Sequence, residues 1–311
     1  MYICSVYFIN ILNSATDNIF RHNTRNPEAV ISIIDESLEI NPGIRCDLLS
    51  GISSSEFILA LFDKKHNKFL ALEVFQNPEI SDVKSQCAWL TTIPAKSIIL
   101  KNYNFKNVSV EILNHEATLV PSALFREKDE STYFQFNFND HDAVIRSEPV
   151  RAFEAMNIFG VPKLLTETLN HLFGSYDLHH HSTALLEGIH LSFKKSGEKT
   201  FFLNIRKEYI DMVVTEGKKL VFFNSFNYKS IDDLIYYVMF ACDRLQMNPE
   251  TVPTLLLGEV ERESAIYKLL YKYIRNINFA KRPEVFNFSY VFKEIPAHFY
   301  FNIFSLAFCE S

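Results

Sequence analysis

Three consecutive histidines, His179-His180-His181, are the residues whose type most directly suggests chemistry, because neutral imidazole is the commonest metal ligand. Neighbouring residues of a strand point to opposite faces, so three in a row cannot all bind one ion while the chain stays extended. No cysteine or carboxylate stands at zinc-ligand spacing around them. We therefore predict that they end a strand and begin a helix, with Ser182 as the N-cap, and that they bind no metal.

Two other groups of residues carry reactive side chains. Asp140-His141-Asp142 could form a metal or acid–base cluster, but Asn and Asp gather in turns for conformational reasons, and we predict a solvated turn. The five cysteines, at positions 4, 46, 87, 242 and 309, are widely spaced and include no CxxC pair. This spacing indicates reduced thiols in the cytoplasm rather than a disulfide framework, a zinc site or a Cys–His hydrolase.

Composition excludes several classes of partner. The chain has 311 residues, with 31 Lys+Arg against 37 Asp+Glu and a net charge of −6. It therefore lacks the excess of basic residues with which proteins bind the phosphates of nucleic acids. It has only 8 glycines, no two closer than eight positions, so neither a P-loop nor a GxGxxG fingerprint is present. No segment reaches about 18 apolar residues without a charge, and we predict no membrane span.

The first residues differ in character from the rest. Residues 1–12 are apolar, but they lack a basic leader and a small-residue cleavage site and are too short to span a bilayer. Asn, Thr and Arg are concentrated in residues 18–26. We expect residues 1–31 to form a poorly attached N-terminal extension; a start codon placed too far upstream would also explain them.

The elements that must position any site come from two similar stretches, residues 46–75 and 200–226. Each contains three apolar runs separated by short polar turns, and the third run of each ends in Phe. Short β-rich runs separated by such turns form hairpins, so each stretch predicts a three-stranded meander.

The second meander is followed by a regular pattern. Ser230 and Asp233 have the spacing of a capping box, and the apolar residues after them mark one helical face. We predict that this helix ends before Pro249 and that a buried strand follows at 254–257, then a helix at 259–275 and a strand at 276–279. The predicted order is β-β-β-α-β-α-β.

The first meander is followed by a less regular pattern. We predict a helix near 80–90, a strand near 97–103, extra β structure at 107–113, 118–125 and 133–138, a helix from 161 to 172, a strand at 176–180 and a helix at 183–193. The first half of the chain therefore carries inserts that the second half lacks.

Two copies of this element order resemble the actin-like ATPase fold, an α/β architecture of duplicated ribonuclease-H-like lobes that includes actin, sugar kinases, heat-shock chaperones and the pilus-assembly actin-like ATPase. More narrowly, the chain resembles a bacterial domain-of-unknown-function family of this fold, through residues 35–38, 118–125 and 295–309. The resemblance covers roughly residues 32–311. It implies a first lobe with β inserts at 32–160 and a second lobe at 161–311.

The resemblance also implies where a nucleotide would bind. In active members the first turn of each meander is Asp-x-Gly-like and wraps phosphate, the Gly allowing close approach and the Asp positioning the metal and the attacking water. The first such turn here is Ile52-Ser53-Ser54-Ser55-Glu56, with neither Asp nor Gly. In the second turn Asn204 stands at the Asp position, where it cannot act as a carboxylate base, and Arg206 fills the Gly position.

The turn that would hold adenosine departs from the family pattern as well. The resemblance implies a glycine pair, whereas the sequence has Gly258 followed by the acids Glu259 and Glu261. These acids suit a helix N-terminus but would repel a polyphosphate.

Because all three turns depart together, we predict a degenerate, non-hydrolysing ATPase fold that acts in the cytoplasm as a binding or scaffold protein for a protein partner of unknown identity. We assign no catalytic residue and no metal ligand. ATP with magnesium stays open as a cofactor, and Arg206 and Lys207 could bind its phosphates. The residues that would hold it are Ser53, Ser54, Asn204, Arg206 and Gly258.

Two alternatives stay open. The first is an active magnesium-dependent ATPase or phosphotransferase with atypical phosphate loops, whose carboxylate would be Asp63 or Asp211, both on meander strands. The second is an accessory to an RNA- or envelope-modifying partner, which the sequence neither supports nor excludes.

Overall fold

The computed structural model describes residues 28–40, 44–139, 142–193 and 197–309. These residues form 15 strands and nine α-helices. The strands are β1 (Ile31–Ile34), β2 (Cys46–Ile52), β3 (Glu56–Asp63), β4 (Lys68–Gln76), β5 (Phe105–Ile112), β6 (Ala117–Pro121), β7 (Ala143–Val150), β8 (Ala155–Pro162), β9 (Asp177–His180), β10 (Lys199–Ile205), β11 (Tyr209–Glu216), β12 (Lys219–Asn227), β13 (Thr254–Gly258), β14 (Ile277–Phe279) and β15 (Asn287–Phe288).

The helices are α1 (Ser37–Ile40), α2 (Val83–Leu90), α3 (Ile98–Asn102), α4 (Glu130–Asn137), α5 (Lys163–Phe173), α6 (His181–Ser192), α7 (Ile231–Arg244), α8 (Ala265–Tyr273) and α9 (Phe301–Ser305). None of these helices is long and apolar enough to cross a lipid bilayer. The expectation for an N-terminal extension falls mainly on residues 1–27, and that for a turn at Asp140-His141-Asp142 mainly on residues 140 and 141; both lie outside the described residues.

The chain divides into two compact units, each assembled from separate segments. Unit 1 contains the described residues up to 110 together with 164–177 and 286–294. Unit 2 contains 111–163, 178–285 and the residues from 295 onward. The units are therefore interleaved along the chain.

The largest sheet has the strand order β1-β4-β3-β2-β5-β9, and β15 pairs in parallel with β4. Its antiparallel strands β2, β3 and β4 are the first predicted meander. Every residue of β2 and β3 is buried, as expected of strands covered on both faces.

Helix α3 replaces the strand predicted near 97–103, and that prediction was wrong. Ser97 caps the helix, because its hydroxyl accepts a hydrogen bond from the amide of Leu100 at 3.0 Å. The buried carboxylate of Glu73 accepts from the amides of Ile98 and Ile99 at 3.2 and 3.0 Å. An anion at a helix N-terminus stabilises it, so Glu73 favours the helix over the extended conformation.

Helix α4 likewise replaces the strand predicted at 133–138. The alternating aromatic residues there have the period of a strand, yet Phe136 is 88 % exposed and Phe134 is fully buried. A Cβ atom on Gly160 of β8 would lie 2.5 Å from the Phe134 ring, so the glycine provides the space that the ring fills. The β structure predicted at 118–125 is present only in its first part, as β6.

Unit 2 contains the second predicted meander. Its five-stranded sheet has the order β12-β11-β10-β13-β14, with β10, β11 and β12 antiparallel and β13 and β14 parallel to β10. The predicted order β-β-β-α-β-α-β is therefore confirmed here. As in the largest sheet, the first meander strand is central, with the second and third on one side and the later strands on the other. A separate sheet, β6-β8-β7, packs against α4.

Helix α7 begins as the sequence predicts. The Ser230 hydroxyl accepts a hydrogen bond from the amide of Asp233 at 3.1 Å, and the Asp233 carboxylate accepts from the amide of Ser230 at 2.9 Å. Its apolar face packs in the core of unit 2. Helix α8 is shorter than the predicted 259–275, because Ser264 is its N-cap and accepts from the amide of Tyr267 at 3.1 Å.

Candidate functional site

The end of β10 and the end of β13 meet where the resemblance places phosphate and adenosine. Ile205 pairs with Gly258 in the parallel register of these strands. Gly258 has φ of +81°, and a Cβ atom there would lie 2.2 Å from the carbonyl oxygen of Ile205 and 2.9 Å from Oδ1 of Asn204. The amide of Glu259 donates to the same Ile205 carbonyl at 2.9 Å. The glycine is therefore required by the contact between the chain's own two turns.

Arg206 joins these two turns. Its side chain is nearly buried, and its Nη1 atom lies 3.2 Å from Oε1 of Glu259. Its amide donates to the carbonyl of Tyr209 at 2.9 Å, and its carbonyl accepts from the Tyr228 hydroxyl. The structure thus brings Asn204, Arg206 and Gly258 together within unit 2, with the Arg206 charge paired internally.

The other two predicted site residues, Ser53 and Ser54, lie in the β2–β3 turn of unit 1. The Ser53 hydroxyl accepts hydrogen bonds from the amides of Ser55 and Glu56 at 3.3 and 2.9 Å. The Ser53 amide donates to the Glu56 carbonyl at 2.9 Å, and the Ser53 carbonyl accepts from the side chain of Gln86 at 2.7 Å. Amides that could cradle a phosphate are therefore bonded within the turn.

Asp63, a candidate carboxylate of the active-ATPase alternative, terminates β3 as a turn residue. Its Oδ1 atom accepts from the amides of Lys65 and His66 at 3.0 and 3.3 Å, and its Oδ2 atom lies 2.5 Å from Nδ1 of His66. This is the usual role of an aspartate at a hairpin turn.

Asp211, the other candidate carboxylate, is fully buried on β11. Its oxygens lie 3.0 and 3.1 Å from Nε2 of His181, and they accept from Nδ2 of Asn204 at 2.8 Å and from the Ser225 hydroxyl. Nδ1 of His181 lies 3.3 Å from the carbonyl oxygen of Ile112. The carboxylate is thus saturated by protein donors and does not face solvent.

The histidine triplet ends β9 and begins α6, as predicted from its spacing. Oε2 of Glu148 lies 2.7 Å from Nδ1 of His179, and Oε1 accepts from the His180 amide at 2.7 Å. The N-cap is His180 rather than the predicted Ser182, since Nδ1 of His180 accepts from the Ser182 amide at 3.2 Å. Burial holds the pKa of His180 well below its ordinary value, which keeps the ring neutral and its Nδ1 able to accept. Among the described residues, no group of three or more His, Cys, Asp or Glu side chains is arranged to hold a metal ion.

Glu111, a carboxylate that lies near Asp211 and Glu148, was not identified in the sequence analysis. Glu111 on β5 is fully buried, and neither of its oxygens has a hydrogen-bond partner among the described residues. Burial raises its pKa to about 8; the Arg206 charge opposes the shift, and Glu148 and Asp211 add to it. The sequence feature that could have pointed to a buried acid is the single glutamate within the otherwise apolar residues 110–113.

A second polar group that escaped notice is the Tyr209 hydroxyl, which is buried without a hydrogen-bond partner in the described part of the chain. Burial and the neighbouring Asp211 charge hold its pKa well above the ordinary value. Among the described residues of unit 2, the side chains of His181, Asn204 and Ser225 thus bind the buried Asp211, whereas the Glu111 carboxylate and the Tyr209 hydroxyl lie buried without a hydrogen-bond partner.

Known proteins define the fold of this chain. A Bacteroides thetaiotaomicron protein described as having an actin-like ATPase fold and unknown function is 20% identical, with a TM-score of 0.70, over 87% of this chain and 98% of its own. A chain of the PilM-PilN type IV pilus biogenesis complex is 13% identical, with a TM-score of 0.61, over 85% of this chain and 99% of its own. The predicted actin-like ATPase fold is confirmed.

The family is defined by sequence. Among curated proteins, none matches this chain significantly. The model of a family described as Protein of unknown function (DUF3822) matches residues 35–277, which is more than half of the chain. The protein therefore belongs to the DUF3822 family.

Proposed function

We propose that this protein is a non-hydrolysing member of the actin-like ATPase fold that acts as a binding or scaffold protein. The observation that carries the proposal is the ion pair between Arg206 and Glu259, which closes the β10–β11 turn onto the turn after β13. The Arg206 guanidinium, the buried cation of the expected phosphate turn, is thereby neutralised by the protein itself. A phosphate would have to displace a carboxylate from a nearly buried guanidinium.

The β2–β3 turn of unit 1 supports the same conclusion. Phosphate loops bind through backbone N–H groups that point at the ligand. Here the amides of Ser53, Ser55 and Glu56 donate within the turn. Binding a phosphate would cost those hydrogen bonds.

The carboxylates argue against the alternative of an active ATPase or phosphotransferase. A hydrolytic carboxylate must reach a metal or a water molecule. Asp211 is fully buried and accepts from three side chains, whereas Asp63 caps a turn. We therefore assign neither residue a catalytic role.

A protein partner agrees with the known structures. One similar protein of this fold was solved as the PilM-PilN complex, in which two different proteins assemble. At this low identity the likeness concerns the fold, so the partner of the present chain is left unnamed. We place the protein in the cytoplasm because Cys46, Cys87, Cys242 and Cys309 are free thiols.

We also propose that the two sheets descend from an internal duplication, with the repeats at 32–160 and 161–311. Their shared strand order supports this. Unit 1 contains 164–177 and 286–294 of the second repeat, and unit 2 contains 111–160 of the first, so these boundaries describe the repeats and not the units.

The proposal is tested by titrating the full chain with ATP and with ADP by calorimetry, with and without Mg²⁺, up to about 1 mM. We expect no heat of binding and no increase in melting temperature. A ligand present at one hundred times its dissociation constant would stabilise the protein by about 2.7 kcal/mol, which a thermal shift detects.

Two variants make the titration decisive. Arg206→Ala removes the paired cation, and Lys207→Ala removes its exposed neighbour as a matched control. Micromolar nucleotide binding by the wild type would overturn the closed-turn proposal, and its loss in Arg206→Ala but not in Lys207→Ala would show that Arg206 holds the phosphates.

A further inference from the structure

The outer face of α7 carries a regular row of exposed side chains. Asp232, Tyr236, Phe240 and Arg244 follow one another at four-residue spacing, and residues so spaced are neighbours on a helix surface. All four are exposed, Tyr236 to 63 % and Phe240 to 42 %. We call this row the α7 stripe.

The last three side chains of the α7 stripe contact one another in order. The rings of Tyr236 and Phe240 are stacked, with centroids 6.0 Å apart and an interplanar angle of 20°. The Arg244 guanidinium lies 5.1 Å from the centroid of the Phe240 ring. Stacking keeps the aromatic surface flat and fixes the arginine at the C-terminal end of the row.

The stripe borders an apolar groove between α7 and α8. The groove is a shallow depression of about 470 Å³, lined by Asp232, Ile235, Tyr236, Met239, Phe240, Leu269 and Tyr273. Apolar side chains that line a groove beside exposed aromatic rings are candidates for burial against a second protein surface.

The order of charges along the α7 stripe indicates which protein surface packs on it. An acid lies at its N-terminal end, a base at its C-terminal end and two aromatic rings between them. A two-fold axis at the middle of the helix places Asp232 of one copy opposite Arg244 of the other, and Tyr236 opposite Phe240. We propose that the α7 stripe is a self-association surface on which a second copy of this chain packs its α7 antiparallel.

Alternative registers are less favourable. A parallel arrangement would place Asp232 against Asp232 and Arg244 against Arg244, and like charges facing each other are destabilising. The Asp233 carboxylate is held by the amides of Lys229 and Ser230 in the capping box, so Asp232 supplies the acidic end. Asp243 is also exposed and lies within the arc that the row spans; in the antiparallel register it falls opposite Asp233, so the charge complementarity rests on the two Asp232–Arg244 contacts.

The expected strength follows from the size of the surface. Helix α7 has 14 residues and is about 21 Å long. One helix with part of α8 provides an interface smaller than the about 1,200 Å² in total at which stable complexes begin. We expect a dimer with a dissociation constant on the order of 10–100 µM.

The test is the mass of the full chain by sedimentation velocity from about 5 to about 500 µM. The wild type should pass from monomer to dimer. Asp232→Arg and Arg244→Asp should each remain monomeric, because each places two like charges in contact at both ends of the interface. The charge-swapped double variant Asp232→Arg/Arg244→Asp should dimerise again.

A mixing experiment needs no double variant. The two single variants, each monomeric alone, should associate when mixed one to one, because every contact then joins opposite charges. Lys281→Glu, a charge reversal at an exposed residue outside α7, should leave dimerisation unchanged. Melting curves show whether each variant is folded, and Phe240→Glu replaces any charge variant that is not.

Two results would overturn the proposal. A wild-type chain that stays monomeric up to about 500 µM at low salt would exclude this surface as a self-association site. A dimer whose formation is unaffected by the single variants, or not restored by the double variant, would mean that the copies meet elsewhere or in another register. Both results are independent of nucleotide binding and leave the proposed function to its own test.

Discussion

Oε1 of Glu259 lies 3.2 Å from Nη1 of Arg206, and this contact joins the two turns that face each other across Gly258. Glu259 immediately follows the glycine, and its amide also donates to the carbonyl of Ile205 in the opposite turn. Both the backbone and the side chain of Glu259 therefore hold the β10–β11 turn. Removing the charge should weaken the turn without disturbing the strands behind it.

We expect Glu259→Gln to lower the free energy of unfolding by about 1–2 kcal/mol, because it removes a carboxylate charge from beside the nearly buried Arg206 guanidinium. Urea denaturation measures the change. Glu284→Gln is the matched control, since Glu284 pairs with Lys281 at 4.0 Å where both side chains are more than 80 % exposed. That control should change stability by less than about 0.5 kcal/mol. Equal effects of the two variants would contradict a structural role for the Arg206–Glu259 pair.

Gly258→Ala should destabilise the protein by about 3 kcal/mol or more, since the added Cβ meets backbone at a positive φ. Gly174 separates the two causes of this loss: its φ is +70°, yet a Cβ there meets nothing within 4 Å. Gly174→Ala should therefore cost only about 1 kcal/mol. Thermal or urea unfolding of the two variants gives the comparison, and a Gly258→Ala protein as stable as Gly174→Ala would disprove the close contact.

The parts of the fold that local sequence determines were predictable. The start of α7 depends on Ser230 and Asp233, three residues apart, and the sequence shows both. Helix α3 depends on Glu73, which bonds Ser97 from 24 residues away, so the local pattern alone suggested a strand. Helix α4 was mistaken for a strand because its aromatic residues alternate, although only Phe134 is buried, in the space beside Gly160.

The candidate site likewise has features that the sequence predicts and features that depend on contacts between distant residues. The positions of the turns at Ser53, Arg206 and Gly258 follow from the repeated pattern of strands. The second turn is closed by Glu259, the ion-pair partner of Arg206. Glu259 lies in a different turn, and its position depends on the pairing of β10 with β13. The burial of Glu111 depends on sheet order and could not be read from its neighbours in sequence.

Glu111 should make stability depend on pH. Its folded pKa of about 8 lies above the ordinary glutamate pKa of 4.5, so between these values the folded protein binds more protons than the unfolded chain. This contribution to stability is present at low pH and is lost as pH rises through about 8. Glu111→Gln cannot ionise, so its melting temperature relative to wild type should rise by about 4 °C or more between about pH 5.5 and about pH 9.

The histidines act in the opposite direction without obscuring this effect. Burial lowers the pKa of His180, so stability falls as pH drops below the ordinary histidine range, and it does so in wild type and variant alike. The difference between the two melting curves therefore isolates Glu111. A difference for Glu111→Gln that does not change with pH would mean that the Glu111 carboxylate is hydrated or paired in solution.

Glu73 offers the corresponding test in unit 1. Its fully buried carboxylate accepts hydrogen bonds from the Ser97 hydroxyl and from the amides of Ile98 and Ile99, and the Ser32 hydroxyl donates to it at 3.2 Å. An amide has one accepting oxygen in place of two, so Glu73→Gln leaves buried donors unpaired at the start of α3. We expect the free energy of unfolding to fall by about 2–3 kcal/mol, measured by urea denaturation.

Glu79→Gln, at an exposed glutamate of the same unit, should leave the free energy of unfolding unchanged. Hydrogen exchange at the Ile98 and Ile99 amides locates the effect: faster exchange there in Glu73→Gln, with the β2–β3 ladder unchanged, is the expected result, and unchanged exchange would contradict the capping role.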